Sequence, residues 1–197
     1  MSSIAPLKGL VLAGGQSRRM GQDKALLARG KRSQLAHVVD LLRQFTVNTY
    51  VSARKDQQDE AERARFAQIL DRYDDLGPLA GILSAMDTDP ESAWLVLAVD
   101  LPNVDEGTLR YLAGNRDSTR PFTAYRSSND DLPEPLCAIY EPSARGVVDD
   151  LVSQGIACPR KMMIRSDTHL LTQPDPMALD NINTPQDLAR CELQVAP

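Results

Sequence analysis

A glycine-bearing loop rich in basic side chains lies near the start of the chain and could bind phosphate groups. Residues 16–32 carry six basic side chains against one acidic one. Glycines such as Gly14 and Gly15 let backbone N–H groups approach an anion closely, because they have no Cβ. Arg19 and Lys24 could then add positive charge. The loop matches neither the G-x-G-x-x-G dinucleotide fingerprint nor the P-loop pattern G-x-x-x-x-G-K-S/T, and a flexible glycine turn with solvated cations is the alternative interpretation.

Aspartates end two apolar segments that have the pattern of β-strands. Asp100 follows residues 94–99, the strongest strand signal in the chain, and Asp71 follows residues 68–70. Ligands of open α/β folds bind at the carboxyl ends of parallel strands. Mg²⁺ is usually bound by one or two carboxylates together with substrate phosphates. Asp100 is therefore the candidate magnesium ligand, while a helix cap or a salt bridge to a nearby arginine is the alternative for both aspartates.

Two further polar segments carry weaker signals for a bound ligand. Residues 77–81 form a glycine-bearing turn into a predicted helix, whose N-terminus suits an anion or the edge of a base. Asn181 and Asn183 occupy alternate positions, so their side chains face the same way if the segment is extended. Asx-turn capping is the alternative interpretation for the two asparagines.

Composition and charge argue against several other classes of protein. The net charge of −5 disfavours nucleic acid or an anionic membrane as partner, because such binding needs many neutralised phosphates. The three cysteines form no C-x-x-C pair, which predicts reduced thiols and no zinc site. His37 and His169 lie near no serine or cysteine motif, and both are predicted to be structural. Because no apolar run suits a signal peptide or a membrane span, we expect a cytoplasmic protein.

Alternating strand and helix signals predict how the candidate residues are positioned. The 197 residues, 42% of them hydrophobic, are enough for one domain over residues 1–197 with a sizeable core. A continuous apolar run typical of a buried parallel strand occupies residues 8–13, and residues 94–99 give the strongest strand signal. Two further strands are predicted over residues 49–53 and 68–70. Helical patterns occupy residues 35–45 with Ser33 as N-cap, 56–65, 79–86, and 105–113 with Gly114 as a left-handed C-cap. This alternation predicts an α/β fold with a mostly parallel, doubly wound sheet.

Beyond residue 121 the pattern is less regular. Residues 122–125 and 136–140 can pair as strands across a turn-rich connection at 127–131. A helix is predicted over 144–154, and another begins at Thr184, which precedes a proline at the first helical position. No repeat or linker interrupts these elements.

Together these segments resemble the molybdenum cofactor guanylyltransferases, the MobA-like NTP transferases. The opening run Leu12-Ala13-Gly14-Gly15, with Arg19-Met20-Gly21 and Asp23-Lys24, is similar to the nucleotide loop that many NTP transferases share. Later motifs of the MobA-like branch are similar, in the same order, to Gly77-Pro78-Leu79-Ala80-Gly81, Asp100-x-Pro and Asn181-x-Asn183-Thr184-Pro185. The resemblance covers about residues 7–190.

This resemblance implies a Rossmann-like, three-layer α/β/α nucleotidyltransferase fold and a set of site residues. The implied nucleotide contacts are Leu12, Ala13, Gly14, Gly15, Lys24, Ser52, Asp71 and Asp100. The implied catalytic residues are Arg19, Lys24 and Asp100, and Asp100 would also hold Mg²⁺. The implied acceptor contacts are Gly77, Pro78, Gly81, Asn181 and Asn183. Ser52 stands where relatives often carry asparagine, and residues 132–137 and 158–161 differ in the region expected to shape acceptor choice.

The activity that the resemblance implies is transfer of GMP from GTP to the terminal phosphate of Mo-molybdopterin, with release of pyrophosphate and Mg²⁺ as cofactor. GTP and molybdopterin would be the substrates, and proteins that insert or deliver the molybdenum cofactor would be transient partners. The alternatives are a cytidylyltransferase, a sugar-phosphate nucleotidyltransferase, or a module that binds GTP without turnover. The lack of a histidine dyad fits attack by an acceptor phosphate that is already ionised.

Overall fold

The structure is a computed structural model, and it describes residues 4–14, 23–181 and 193. In chain order its strands are β1 (Leu7–Leu12), β2 (Ala28–Arg29), β3 (Arg32–Ser33), β4 (Thr49–Ala53), β5 (Gln68–Leu70), β6 (Ala93–Ala98), β7 (Phe122–Arg126), β8 (Pro133–Tyr140) and β9 (Thr168–Thr172). Its α-helices are α1 (Gln34–Arg43), α2 (Pro78–Thr88), α3 (Glu106–Gly114), α4 (Ala144–Ser153) and α5 (Pro159–Ile164). Short 3-10 turns cover Lys24–Leu26, Lys55–Gln57 and Arg63–Arg65.

Seven strands form one sheet, in the order β5-β4-β1-β6-β8-β7-β9. β1 pairs in parallel with β4 and β6, and β4 pairs in parallel with β5, so these four strands end at the same edge. β8 runs antiparallel to β6 and β7, whereas β9 is parallel to β7. The predicted α/β fold with a mostly parallel sheet is confirmed. β2 and β3 form a separate short hairpin.

Helices cover both faces of the sheet, because its strands are apolar on both sides. Val11 of β1 belongs to a buried cluster with residues of α1 and α3, such as Leu42 and Leu109. The adjacent Leu10 belongs to a second cluster, which includes Ile82 of α2 and Val148 of α4. Every residue of β6 is buried, which explains its continuous apolar run. The result is the predicted three-layer α/β/α arrangement.

The strongest sequence signals coincide with observed elements. The predicted strand 49–53 is β4, and the predicted strands 8–13 and 94–99 match β1 and β6 within one residue. α1 begins after Ser33, whose Oγ accepts a hydrogen bond from the Ala36 N–H at 3.0 Å, as expected of an N-cap. β7 and β8 pair across the predicted turn-rich connection.

Two expected features are wrong. Residues 56–65 form no helix; they lie in an irregular connection that contains two of the 3-10 turns. This segment is highly charged and has no apolar stripe to pack against the sheet, and packing of such a stripe supplies most helical stability. Gly114 is the last residue of α3 rather than a left-handed cap, and the C-cap is Asn115 with φ −109°.

Other elements escape sequence analysis or lie outside the described residues. α5 and the β2–β3 hairpin are too short to be indicated by periodicity. The helix predicted from Thr184 lies outside the described residues. None of the helices within the described ranges is long and apolar enough to cross a membrane.

Candidate active site

A cleft of about 720 Å³ opens at the edge where β1, β4, β5 and β6 end. Because these strands are parallel, the loop after β1 faces the aspartates that follow β5 and β6. The predicted residues that line the cleft are Leu12, Ala13, Gly14, Lys24, Ser52, Asp71, Gly77, Pro78, Gly81 and Asp100. Asn181 is exposed and does not line it. Gly15, Arg19 and Asn183 lie outside the described residues. The structure brings ten predicted residues together, and their roles stay predictions.

Lys24 and Asp100 meet in this cleft. Asp100 lies just beyond β6, and its Oδ2 is 3.3 Å from Nζ of Lys24. Its other carboxylate oxygen, Oδ1, is buried and has no hydrogen-bond partner among the described residues. A buried polar atom without a partner is costly unless a cation or a donor reaches it. The arrangement fits a divalent cation at Asp100.

The charges around the cleft also favour a cation together with phosphates. Its described lining holds six carboxylates and three basic side chains, namely those of Asp23, Asp56, Asp71, Asp74, Asp75, Asp100, Lys24, Arg54 and Lys55. In the part of the chain that the structure describes, no group of three or more His, Cys, Asp or Glu residues could hold a metal ion. Mg²⁺ commonly takes its other ligands from substrate phosphates and water, so one carboxylate at Asp100 is compatible with a Mg²⁺ site.

A short turn holds Lys24 in position. Asp23 is the N-cap of the 3-10 turn Lys24–Leu26, and its Oδ1 accepts a hydrogen bond from the Ala25 N–H at 3.0 Å. The side chain of Lys24 is only 14% exposed. The cap and the burial together restrict Nζ to the neighbourhood of Asp100.

Ser52 and Asp71 form a hydrogen-bonded pair at the ends of β4 and β5. The Ser52 hydroxyl donates to Oδ1 of Asp71 at 2.8 Å. Burial raises the pKa of Asp71 above its usual value, while the Ser52 hydrogen bond and the charge of Arg54 oppose this shift. Oδ2 of Asp71 lies 3.4 Å from the position that a Cβ would occupy on Gly14. The pair therefore offers acceptor oxygens close to the predicted phosphate loop.

The glycines of the 77–81 turn are required by backbone conformation and by close packing. Gly77 adopts φ 56° and ψ −134°, a combination that glycine adopts far more readily than other residues. At Gly81, an added Cβ would overlap Oγ of Ser52 and lie 3.0 Å from Cδ2 of Leu12. α2 therefore approaches β1 and β4 closely, with its first turn at the cleft.

Two arginines in the β4–β5 connection contact the loop after β1, and sequence analysis predicts neither. Nη1 of Arg54 donates to the Gly14 carbonyl at 2.8 Å. Nη2 of Arg63 donates to the Ala13 carbonyl at 2.6 Å. Arg54 directly follows β4. Its place at the end of a predicted parallel strand is therefore a sequence signal of the same kind as the one that indicates Asp100. Arg63 lies in the segment predicted as a charged helix and carries no sequence signal of its own.

The fold and the cleft together define a class of protein. The carboxyl edge of a mostly parallel sheet joins a glycine-bearing loop, a lysine and a carboxylate, which can align a nucleoside triphosphate and a cation. The chain is a nucleotidyltransferase. A family model described as the MobA-like NTP transferase domain matches residues 9–169, and the chain belongs to this family.

Several relatives match nearly the whole chain. It is 32% identical over 189 residues to the molybdenum cofactor guanylyltransferase of Pseudomonas fluorescens (strain SBW25), covering 94% of this chain and 93% of that protein. It is 32% identical to a molybdenum cofactor biosynthesis bifunctional protein of Synechocystis sp., and it spans about half of that protein's length (53%). A solved structure, molybdopterin-guanine dinucleotide biosynthesis protein A from Archaeoglobus fulgidus, superimposes with a TM-score of 0.77 at 27% identity, covering 94% of this chain and 96% of that chain.

Proposed function

We propose that this protein transfers GMP from GTP to the terminal phosphate of molybdopterin and releases pyrophosphate, with Mg²⁺ bound at Asp100. The observation that carries the proposal is the meeting of Lys24 and Asp100, where Oδ1 of Asp100 has no partner in the described chain. A lysine can neutralise phosphate charge, and a free carboxylate oxygen can hold a cation that also binds phosphates. The pair therefore suits a nucleoside triphosphate better than an uncharged ligand.

The names of the relatives support guanine as the base and molybdopterin as the acceptor. The Pseudomonas protein is named a molybdenum cofactor guanylyltransferase, and the Archaeoglobus protein is named for the biosynthesis of molybdopterin-guanine dinucleotide. In this chain, the carboxylate of Asp71 could accept hydrogen bonds from the N–H groups of guanine, since it lies in the same cleft as Lys24.

In the proposed reaction, an oxygen of the acceptor's terminal phosphate attacks the α-phosphorus of GTP in line. A bond forms between that oxygen and the α-phosphorus while the bond to the bridging oxygen breaks, and pyrophosphate leaves with the electron pair. The acceptor phosphate is already ionised near neutral pH, so no side chain has to remove a proton. The task of the protein is therefore alignment and charge stabilisation.

The described residues divide this task. Lys24 neutralises charge on the β- and γ-phosphates, and the Gly14 N–H binds the triphosphate. Asp71, held by Ser52, binds the nucleoside. Asp100 would hold Mg²⁺, and the ion would supply positive charge that offsets the negative charge of the phosphates during the transfer. Arg19, Asn181 and Asn183 stay predicted contacts.

Thermal shift measurements with different nucleotides test the base. GTP, CTP, ATP and UTP are compared at equal concentration with Mg²⁺. A ligand at 100 times its Kd stabilises a protein by about 2.7 kcal/mol, or about 5–11 °C in Tm for a chain of this size. We expect the largest shift with GTP, and a larger shift with CTP would contradict the guanylyl assignment.

Pyrophosphate release tests the reaction itself. With GTP and Mg²⁺, we expect release only when molybdopterin is added, and none when a sugar phosphate replaces it. Release with a sugar phosphate alone would assign a different acceptor. If the protein binds GTP but releases no pyrophosphate under any of these conditions, it is a nucleotide-binding module and not the proposed enzyme.

A further inference from the structure

Arg63 is fully buried although it carries a positive charge. Its Nη2 donates to the Ala13 carbonyl at 2.6 Å and lies 2.7 Å from Oδ2 of Asp23. Its Nη1 donates to Oε2 of Glu60 at 3.1 Å. One guanidinium therefore joins two points of the chain that flank the predicted phosphate loop.

The two contacts of Nη2 affect two groups to which the proposed function assigns phosphate binding, the Gly14 N–H and the Lys24 side chain. A trans peptide has its C=O and N–H on opposite sides, so a hydrogen bond to the Ala13 carbonyl directs the Gly14 N–H away from Arg63. Gly14 lines the cleft and Arg63 does not. At the other contact, Asp23 caps the turn that begins with Lys24. Both groups thus depend on the same side chain for their position.

Stability alone is a poor reason for this arrangement. Buried ion pairs are often no more stabilising than apolar side chains of similar volume. In addition, Nε of Arg63 is buried with no hydrogen-bond partner within the described ranges. What a planar guanidinium does provide is a fixed geometry for several acceptors at once, which neither an apolar side chain nor a lysine can provide.

We infer that Arg63 is a positioning residue that holds Gly14 and Lys24 in the geometry that receives the triphosphate of the nucleotide. The inference rests on the proposed function for the identity of the nucleotide only, because any triphosphate with Mg²⁺ would use the same two groups. A misplacement of about 1 Å can reduce a rate by about 100-fold, so an effect on turnover is measurable.

The test compares Arg63→Met and Arg63→Lys with the matched control Arg65→Met. Arg65 lies in the same 3-10 turn, but its side chain is 64% exposed and pairs with Glu62, and it does not line the cleft. For each variant we would measure Tm, the Kd of inorganic tripolyphosphate with Mg²⁺, and kcat and KM for GTP, all well below the Tm of the variant. Tripolyphosphate reports on the triphosphate-binding groups, Gly14 and Lys24 among them, without any contribution from the base.

We expect both Arg63 variants to weaken tripolyphosphate binding by about 10-fold or more and to lower kcat by about 10- to 100-fold. Arg65→Met should stay within about twofold of the wild type for both quantities, since an exposed ion pair contributes little. If Arg63→Met has a lower Tm but wild-type Kd and kcat, Arg63 is only structural and the inference is wrong. If Arg63→Met does not fold, the same comparison on Arg63→Lys decides.

The experiment also separates this inference from the proposed function. A wild-type protein that binds tripolyphosphate but releases no pyrophosphate would contradict the proposed function, while the Kd series would still test Arg63. Conversely, normal guanylyl transfer with a wild-type Kd in the Arg63 variants would contradict the inference alone.

Discussion

Asp100 lies two residues after β6, a strand in which every residue is buried. One of its carboxylate oxygens is near Lys24, and the other has no partner in the described part of the chain. In the proposed mechanism its negative charge is what matters, because that charge holds the cation. Asparagine has nearly the same shape as aspartate but no charge. Replacing Asp100 with asparagine therefore distinguishes a metal ligand from a residue that only packs.

We expect Asp100→Asn to lower kcat by about 100-fold or more and to raise the Mg²⁺ concentration needed for half-maximal rate, because several kcal/mol of charge stabilisation are lost. The measurement is pyrophosphate release as a function of Mg²⁺ concentration. Asp40→Asn is the control, since Asp40 lies on the exposed face of α1, pairs with Arg32 and Arg43, and does not line the cleft. An Asp100→Asn protein with wild-type Mg²⁺ dependence would exclude the assigned role.

Asp71 gives a prediction in which stability and binding change in opposite directions. Burial raises its pKa in the folded protein. The folded state therefore binds this proton more tightly than the unfolded state, and stability decreases as pH rises from the usual pKa to the raised one. Above that window the full cost of the buried charge is present.

Asp71→Asn should accordingly raise the Tm of the ligand-free protein at neutral pH, with a gain that shrinks as pH falls through the window. The affinity for GTP should fall by about 10-fold or more, because hydrogen bonds to a charged acceptor are lost. Thermal melts with and without GTP across pH measure both effects. Asp105→Asn is the contrast: backbone and side-chain hydrogen bonds from Thr108 lower the pKa of Asp105, so its replacement should give no such gain.

At the residue scale, the sequence predicts those site residues whose position follows from the end of a strand. Asp71 and Asp100 are of this kind, because a residue within one or two positions of the end of a buried parallel strand must lie at the carboxyl edge of the sheet. Arg63 is not, because its contacts depend on how an irregular connection folds back onto the loop after β1. Only coordinates reveal such a contact.

At the scale of elements, α2 and β4 approach each other at Gly81, where an added Cβ would overlap the Ser52 hydroxyl. We expect Gly81→Ala to lower the Tm by about 2–12 °C, since overpacking costs about 1–3 kcal/mol. It should also weaken GTP binding by displacing Ser52 from Asp71. Differential scanning calorimetry with and without GTP measures both effects.

Gly146→Ala is the matched control, because Gly146 lies in α4 and an added Cβ would meet no atom within 4 Å. Alanine favours a helix interior by about 1 kcal/mol over glycine, so this variant should be as stable as the wild type or more so. If Gly81→Ala and Gly146→Ala lower the Tm equally, the close approach of α2 to β4 is not the reason that position 81 requires glycine.

Elements are predictable from sequence where burial imposes a pattern. β1 and β6 are covered on both faces, and the sequence predicts them because their apolar runs are nearly continuous. Residues 56–65 bury an arginine rather than an apolar stripe, so their charge suggests an exposed helix that does not exist. α5 has only six residues, fewer than two turns, and no period can be read over that length.

At the scale of the whole molecule, the sheet order assembles the site. β5, β4, β1 and β6 are neighbours and parallel, so residues from across the first half of the chain meet at one edge. The alternation of strands and helices predicts this parallel part. It does not predict that β8 pairs with β6 in the antiparallel direction, because that pairing is long-range.

The acidic cleft gives a prediction for the whole protein. Six carboxylates face three basic side chains in its described lining, and the chain carries a net charge of −5. A triphosphate without a cation should therefore bind poorly. We expect EDTA to abolish the Tm increase caused by GTP and Mg²⁺ to restore it, whereas monovalent salt at equal ionic strength should not. A GTP-induced shift that persists in EDTA would contradict a site built for Mg²⁺.

The most direct measurement is to follow the α-phosphate of GTP. With GTP labelled at the α-phosphorus, molybdopterin and Mg²⁺, the account predicts that the label moves to the pterin product in equal amount to the pyrophosphate released. It also predicts that Asp100→Asn loses this transfer. Label that stays in GTP, or that appears as free GMP without any pterin product, would contradict transfer of a nucleotide to a phosphate acceptor.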